Sequence, residues 1–495
     1  MPRTVESQRS LVMSGVARGD ITPPVGIYHR MWGAATQDVS TGIHRPLTAT
    51  AWVIRPAGVE RAGFGPVTAE DVRVLIAVDH CLLWHTEMRS LIERISAGCG
   101  VPDESIVVFF SHTHGAGLMG RERQGLPGGD LIPPYLDRMA ETIAGLVLQA
   151  SDAARLTSID YGVGSCDLAT NRDLWDDRLG RFVCGYNPER EADRTLLVGR
   201  ACDASGATVM TLVNYACHPT TLAWDNSLIS PDYVGAMREV IEQATDAPCF
   251  FIQGASGDVG PRDGFVGDPA VADRNGRQLG YAALAALEAL PPPHTHLVYS
   301  GAVVSGATLG TWRHEPLGPE SDDHSRVWRT SECRVDLPLR EDLPRRETLQ
   351  ADQERWQNEE RAAAERGDEE AARDARAMAE RATRRLVRVG HLPEGEHYPY
   401  RVPLWRIGDA VWVSLNGEHY NVMQTELRRR FPETTLVVGT LANGSDVWYL
   451  PDAASYGKGL YQEEASILDR GSLERLIDAV SLSVRDLLPS RFDRQ

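Results

Sequence analysis

Five short polar segments each follow a run of apolar residues. Ile106–Phe110 leads into Ser111-His112-Thr113-His114-Gly115, and Val209–Val213 leads into Asn214-Tyr215-Ala216-Cys217-His218-Pro219. Cys249–Ile252 leads into Gln253-Gly254-Ala255-Ser256-Gly257-Asp258, Val411–Leu415 into Asn416-Gly417-Glu418-His419, and Leu436–Val438 into Gly439-Thr440-Leu441-Ala442-Asn443-Gly444. Imidazole and carboxylate dominate the chemistry on offer. His112, His114, His218 and Glu418 are the donor types that suit zinc, a borderline ion that takes nitrogen and oxygen ligands. His112 and His114 are two residues apart. In an extended backbone they share a face and could both reach a metal, whereas a bend after Phe110 would leave one of them for substrate. Zinc hydrolysis competes with a serine nucleophile at Ser256. Its surroundings read Gly-x-Ser-Gly rather than the Gly-x-Ser-x-Gly of a nucleophile elbow, and Asp258 follows too closely to be a triad member.

The elements that must position these residues alternate between strand-length apolar runs, starting with Val72–Val78, and helix-like stretches. The latter are Glu87–Ser96, Pro134–Leu148, Tyr233–Ala244, Val271–Leu290 and Val422–Arg430, with Leu473–Leu488 closing the chain. This alternation predicts an α/β fold, a large mixed sheet covered by helices. Ligands in such sheets bind beyond the carboxyl ends of strands, so five polar strand endings predict one shared site. Residues 345–388 stand apart, being rich in Glu, Arg and Ala. The i, i+4 pairs Glu369/Arg373 and Glu380/Arg384 support helix, and Gly367 marks a turn. They read as a charged helical hairpin inserted in the main domain, most simply a solvated one, otherwise a substrate lid or an arm for a homo-oligomer.

Composition narrows the function classes. The 495 residues are 42% hydrophobic and 24% charged, ordinary values for a globular protein. Against 51 Lys and Arg stand 69 Asp and Glu, a net charge of −18, which disfavours nucleic acid and anionic membrane surfaces. Eight cysteines include no CxxC pair and read as reduced, buried thiols. The start has neither a signal-peptide core nor a membrane-spanning run, so a soluble, cytoplasmic protein without stable membrane insertion is expected.

Taken together and in order, the motifs resemble the catalytic domain of the neutral/alkaline, non-lysosomal ceramidases. The resemblance rests on Gly19-Asp20-Ile21-Thr22-Pro23, the His112-Thr113-His114 loop, Asn171-Arg172, the Asn214–Pro219 segment, Gly257-Asp258-Val259, Gly417-Glu418, and the tyrosines Tyr449 and Tyr461. It implies zinc held by His112, His218, Glu418 and Tyr449, with Trp448 or Tyr456 as alternative counterparts for Tyr449. It also implies that His114, Arg172 and Tyr461 contact the scissile amide. A zinc-dependent hydrolase of a linear amide is therefore expected, in a single domain spanning 1–495 with 345–388 as its insertion. An esterase using the same site and a non-catalytic metal-binding relative are the alternatives. Three departures bear on substrate. Gly260 stands where the family has a serine, the stretch after Tyr461 is too short for an immunoglobulin-like C-terminal domain, and a secretion signal is missing. These favour a small-molecule amide, soluble or single-chain, over membrane ceramide, although a lipid-like substrate stays open. Met31, Trp32, Leu118 and Met119 are candidates to line a pocket and more simply core residues.

Overall fold

The computed structural model describes residues 3–58, 68, 70–318 and 323–489. Its centre is an eight-stranded sheet. In chain order the strands are β1 (Arg9–Asp20), β2 (Thr48–Pro56), β3 (Arg73–Val78), β4 (Ile106–Phe110), β5 (Arg155–Ser165), β6 (Thr195–Asp203), β7 (Thr208–Tyr215) and β8 (Cys249–Gln253). Their spatial order is β8-β7-β6-β5-β1-β2-β3-β4. The interior of the sheet is antiparallel, but the outermost pair on each edge, β7 with β8 and β3 with β4, is parallel. The polar segments at residues 111–115, 214–219 and 253–258 leave from these parallel edges.

A second sheet contains β9 (Trp328–Pro338), β10 (His397–Ile407), β11 (Ala410–Ser414) and β12 (Thr435–Gly439) in that order, again ending in a parallel pair, β11 with β12. The two sheets pack face to face. Along β3, Leu75 and Ala77 point at the second sheet, meeting a cluster with Trp405 and Trp412, while Val74, Ile76 and Val78 point at helices. Trp52 joins the layers, with its ring 5.6 Å from Trp412 and 5.7 Å from Phe250. Strands buried on both faces need apolar residues at every position, which is why these segments read as continuous apolar runs.

Helices cover the outer faces. Helices α1 (His85–Cys99) and α2 (Ile132–Asp152) pack on one half of the large sheet, α3 (Tyr233–Thr245) and α4 (Pro269–Glu288) on the other. The 345–388 segment forms two helices, α5 (Arg346–Glu365) and α6 (Glu369–Gly390), turning at Gly367 in the left-handed region (φ 73). Asp368 caps α6 by accepting from the Ala371 amide. Helices α7 (Val422–Arg430) and α8 (Ser472–Leu487) cover the second sheet. The order of layers is helix, sheet, sheet, helix. The predicted α/β fold with a large mixed sheet and a charged helical hairpin is borne out, with the addition of the second sheet and of long strands such as β1, β5 and β6. The hairpin is not simply solvated, since Ala375, Ala379, Glu380, Ala382 and Arg388 of α6 are buried. Among the described residues no helix is long and apolar enough to cross a membrane.

Two asparagines fasten the sheets where the polar segments leave. Asn214 on β7 donates to the Val438 carbonyl of β12 (2.9 Å) and accepts from its amide (3.3 Å). Asn443, just after β12, accepts from the Val108 amide of β4 (2.7 Å). The carboxyl ends of β4, β7, β8, β11 and β12 thereby face one region.

Candidate metal and active site

Each candidate side chain is aimed by a local backbone device. The chain bends sharply at the end of β4: His112 takes a left-handed conformation (φ 66), and its amide donates to the His80 carbonyl (2.9 Å). A histidine in that region marks a constrained position. The bend breaks the extended alternation, so His112 and His114 diverge. His112 turns inward, and His114 begins a short helical turn anchored by the Thr113 hydroxyl on the Ser230 carbonyl (2.6 Å). His218 is held by its amide on the Val259 carbonyl (3.1 Å). Glu418 sits in a two-residue parallel ladder opposite Tyr449, entered through Gly417 at φ 109. A side chain at Gly417 would strike the Trp448 carbonyl at 2.9 Å. Asn171 pairs with Val259 across a short ladder, and the Arg172 amide donates to the Asp258 carbonyl (3.0 Å).

These devices bring three donor atoms together. His112 Nε2 lies 2.9 Å from His218 Nε2 and 3.2 Å from Glu418 Oε2, and His218 Nε2 lies 3.7 Å from that oxygen. The opposite ring nitrogens are engaged by backbone: His112 Nδ1 donates to the Cys81 carbonyl (2.7 Å) and His218 Nδ1 to the Ser256 carbonyl (3.3 Å). This fixes the tautomers and leaves both Nε2 lone pairs pointing at one spot. Two buried lone pairs and a carboxylate oxygen have no hydrogen to share unless a cation or a proton sits between them. Ligands at about 2.0–2.1 Å in tetrahedral geometry would lie about 3.3 Å apart, close to the separations here. A second grouping, Cys81, His112 and His114, also comes within coordinating range. It is the poorer one, because the His112 nitrogen on that side is spent on the Cys81 carbonyl.

The electrostatics agree. Burial opposes charge on His112, yet Cys81 and Glu418 hold its imidazole well above its ordinary value. Burial would likewise raise Glu418, but His112 draws it down. A site that attracts a proton this strongly attracts a cation for the same reason. His218 and His114 are instead kept neutral, first by burial, then by the field of Arg172 on His218 and of His112 and Arg172 on His114.

A cavity of 440 Å³ opens beside the donors, lined by His114, Arg172, His218, Tyr449 and Tyr461 among others. Both ring nitrogens of His114 are buried without a partner. Arg172 is buried and donates to the Gly257 carbonyl (2.8 Å) and the Tyr449 hydroxyl (3.0 Å), with its Nε unpartnered. Burial, then the nearby Glu418, pushes the Tyr449 phenol well up. Tyr461 stands at the mouth, half exposed, with its ring 5.7 Å from that of Tyr449. Trp448 points elsewhere, stacked on Trp84, and Tyr456 donates to the Leu468 carbonyl. Neither faces the donors as Tyr449 does. Ser256 has no imidazole on its hydroxyl, which accepts from Gln253 (2.7 Å).

The far wall is aromatic: Trp32, Trp224 and Phe265 contact one another edge-on or stacked, and Trp32 lies 5.1 Å from the His114 ring. Met31 and Trp32 line the cavity, whereas Leu118 and Met119 belong to the core. All eight cysteines are free, and seven are buried as expected. Cys184 departs from that expectation, because it faces the cavity. Sequence reasoning missed Trp224, Phe265 and Cys184, which no motif marks. It also missed Arg384, which α6 brings to the cavity wall. Asp258 supports the site from beneath, accepting from the Asn421 amide (2.6 Å), and burial pushes its carboxyl up to about 7.

No protein-family model matches the chain. It is 26% identical over 253 residues to a neutral ceramidase of Drosophila pseudoobscura pseudoobscura, covering 46% of this chain and 32% of that one. It is 24% identical over 251 residues to neutral ceramidase 1 of Arabidopsis thaliana, covering 46% and 28%. These matches thus span only about a third of the relatives' own length. In fold, the neutral ceramidase of Pseudomonas aeruginosa aligns with 98% of this chain and 76% of its own at a TM-score of 0.61 and 15% identity. A second structure, a ceramidase complexed with C2, gives 0.62 and 16% over the same shares.

Proposed function

We propose that this chain, neutral-ceramidase-like in sequence and in fold, is a zinc-dependent hydrolase of a linear amide bond. The convergence of His112 Nε2, His218 Nε2 and Glu418 Oε2 at the floor of a cavity carries this reading. These three would hold the ion, with Tyr449 as a fourth ligand through the hydroxyl that faces Arg172 and Glu418. Zinc held there supplies a Lewis acid and a water of pKa about 7.

The chain's own residues do the rest. Arg172, buried and fixed by the Gly257 carbonyl, presents positive charge where the amide oxygen becomes negative. His114 has two unengaged ring nitrogens in a neutral imidazole, so it can take a proton and return it to the leaving amine. Tyr461 at the mouth orients the substrate and offers a second donor. Ligands come from both sheets, so in this reading residues 1–495 work as one hydrolase unit. The cavity suits a soluble or single-chain amide.

Metal analysis of protein purified without added metal, joined to a screen of N-acyl amines and their matching esters, tests the proposal. About one zinc per chain and cleavage of amides are expected. Protein with no transition metal, whose activity zinc does not restore, would refute the mechanism; cleavage of esters alone would make it an esterase.

A further inference from the structure

Arg388, near the end of α6, has an unusual environment. It is only 8% exposed, and its guanidinium lies on the Trp448 ring at 3.7 Å. Among the described residues it makes no ion pair or hydrogen bond, and its Nε is buried without a partner. The other arginines on that face of α6 are all engaged. Arg381 and Arg385 both pair with Glu464, and Arg384 pairs with Glu380 (3.0 Å) and also donates to the Met31 carbonyl. Stacking on tryptophan offsets only part of the cost of burying an unpaired charge. Burial, aided by Arg384 and Arg385, lowers its pKa to about 10, so the guanidinium stays charged at neutral pH.

The space in front of Arg388 leads to the active site. A cleft of 390 Å³ is lined by Arg388, Arg385 and Glu464, and it adjoins the 440 Å³ cavity through Gly33, Arg384 and Tyr461, which line both. A substrate with its amide at the donors can therefore extend past Tyr461 toward Arg388. The route is lined by Arg172, Arg384 and Arg388 in a chain whose net charge is −18. Arg172 and Arg384 are already engaged, and Glu380 and Glu464 on the cleft wall are paired with other arginines, so Arg388 is the guanidinium left to meet an anion.

We infer that Arg388 is the centre of an anion subsite built by the helical hairpin, and that the substrate is an N-acyl compound bearing a carboxylate, such as an N-acyl amino acid. The inference rests on the amide-hydrolase reading for which bond is cut, but the subsite itself is a binding property. The planar fork of arginine matches a carboxylate bidentately, and the aromatic wall of Trp32, Trp224 and Phe265 suits a flat apolar group at the other end.

Calorimetric binding of N-phenylacetylglycine and of its uncharged primary amide to the metal-loaded protein tests this. The wild type is expected to bind the acid at least ten-fold more tightly. Arg388→Met, which keeps an apolar stem against Trp448, should reduce that ratio below about three-fold, and Arg388→Lys should retain part of it. Equal affinity for acid and amide in the wild type, or a preference that survives Arg388→Met, overturns the subsite. Should Arg388→Met fail to fold, Arg388→Lys decides, because it keeps a charge but loses the planar fork, so an acid preference that it leaves undiminished overturns the subsite. Cleavage of the uncharged amide without any acid preference refutes the subsite and leaves the hydrolase standing. Acid-selective binding with no cleavage of any amide supports the subsite and refutes the hydrolase.

Discussion

A buried ion pair is the most enclosed of the contacts that hold the hairpin at the active-site mouth. Arg123, in the loop that follows the His112–His114 segment, is 1% exposed and donates to Glu380 of α6 at 2.6 Å. Glu380 also accepts from Arg384, the hairpin residue that lines the cavity. Glu380→Gln removes the charge and keeps the shape. Breaking a buried pair costs about 3–5 kcal/mol, and the lower end applies here because Arg123 retains Glu122 as a second partner. A loss of about 3 kcal/mol, at about 1.4 kcal/mol per decade, raises the open population of the hairpin roughly 100-fold. Helix α6 carries trypsin sites at Arg381, Arg384, Arg385 and Arg388. Native-state trypsin cleavage in 381–388 follows the open population when opening is fast relative to cutting. We expect cleavage there to accelerate roughly 100-fold, with metal content unchanged because no donor touches the hairpin. Cleavage within about three-fold of wild type would show that other contacts hold the hairpin. Loss of metal would show that the hairpin and the donor cluster are not separable.

Other outcomes follow from the same geometry. His218→Ala and Glu418→Ala should lose metal and activity together, whereas Arg172→Ala should keep its metal, read by elemental analysis, and lose turnover; metal loss in Arg172→Ala would contradict the division of roles. Gly257→Ala should fold with about 1–3 kcal/mol less stability in urea and weaken metal binding at least ten-fold, because its Cβ would meet the Glu418 carbonyl at 2.6 Å. Burial alone would raise the Asp79 carboxyl, but the buried Arg238, bonded to it by both terminal nitrogens, holds it below its ordinary value. A depressed carboxyl contributes stability that is full above its unfolded pKa of about 3.9 and is lost as pH falls through the folded value. Asp79→Asn should therefore cost about 3–5 kcal/mol at pH 7 and flatten the stability profile below about pH 4, measured by urea melts at stepped pH.

The strands that carry the site were legible because they lie at parallel edges with both faces buried: β4, β8 and β12 are apolar at nearly every position. The long antiparallel strands were not. β1 reads Arg-Ser-Leu-Val-Met-Ser-Gly-Val-Ala-Arg-Gly-Asp, and its buried Arg9 is tolerated only because Asp160 on β5 meets it at 3.0 Å, a pairing across 151 residues that no local pattern announces. The hairpin declared itself through charge spacing, but its contact with the cavity is made by pairings such as Glu380 with Arg123 and Arg384 with the Met31 carbonyl, which are equally remote. At the site, His218 and Glu418 followed from residue type and strand ending. Residue type and spacing left open whether His112 and His114 share a face or part at a bend after Phe110, and the left-handed backbone at His112 (φ 66) decides for the bend. The aromatic wall joins Trp32, Trp224 and Phe265 from distant segments, so it exists only once the chain has folded.

The donor cluster draws on both sheets, and this sets an order of assembly. His112 and His218 leave the first sheet, which is complete once β8 has formed, while Glu418 leaves a sheet built from the last third of the chain. During synthesis the amino-terminal sheet emerges first, with Trp52, Leu75, Phe109 and Phe250 facing solvent until β9–β12 arrive to cover them. A nascent chain at that stage offers two imidazoles and a large sticky face, and no carboxylate. On the proposed reading metal capture would thus be a late event, and an ion bridging His112 and Glu418, some three hundred positions apart, would act as a clasp between the two sheets. At a concentration a thousand times its dissociation constant, such an ion would add about 4 kcal/mol to the docked state of the two sheets.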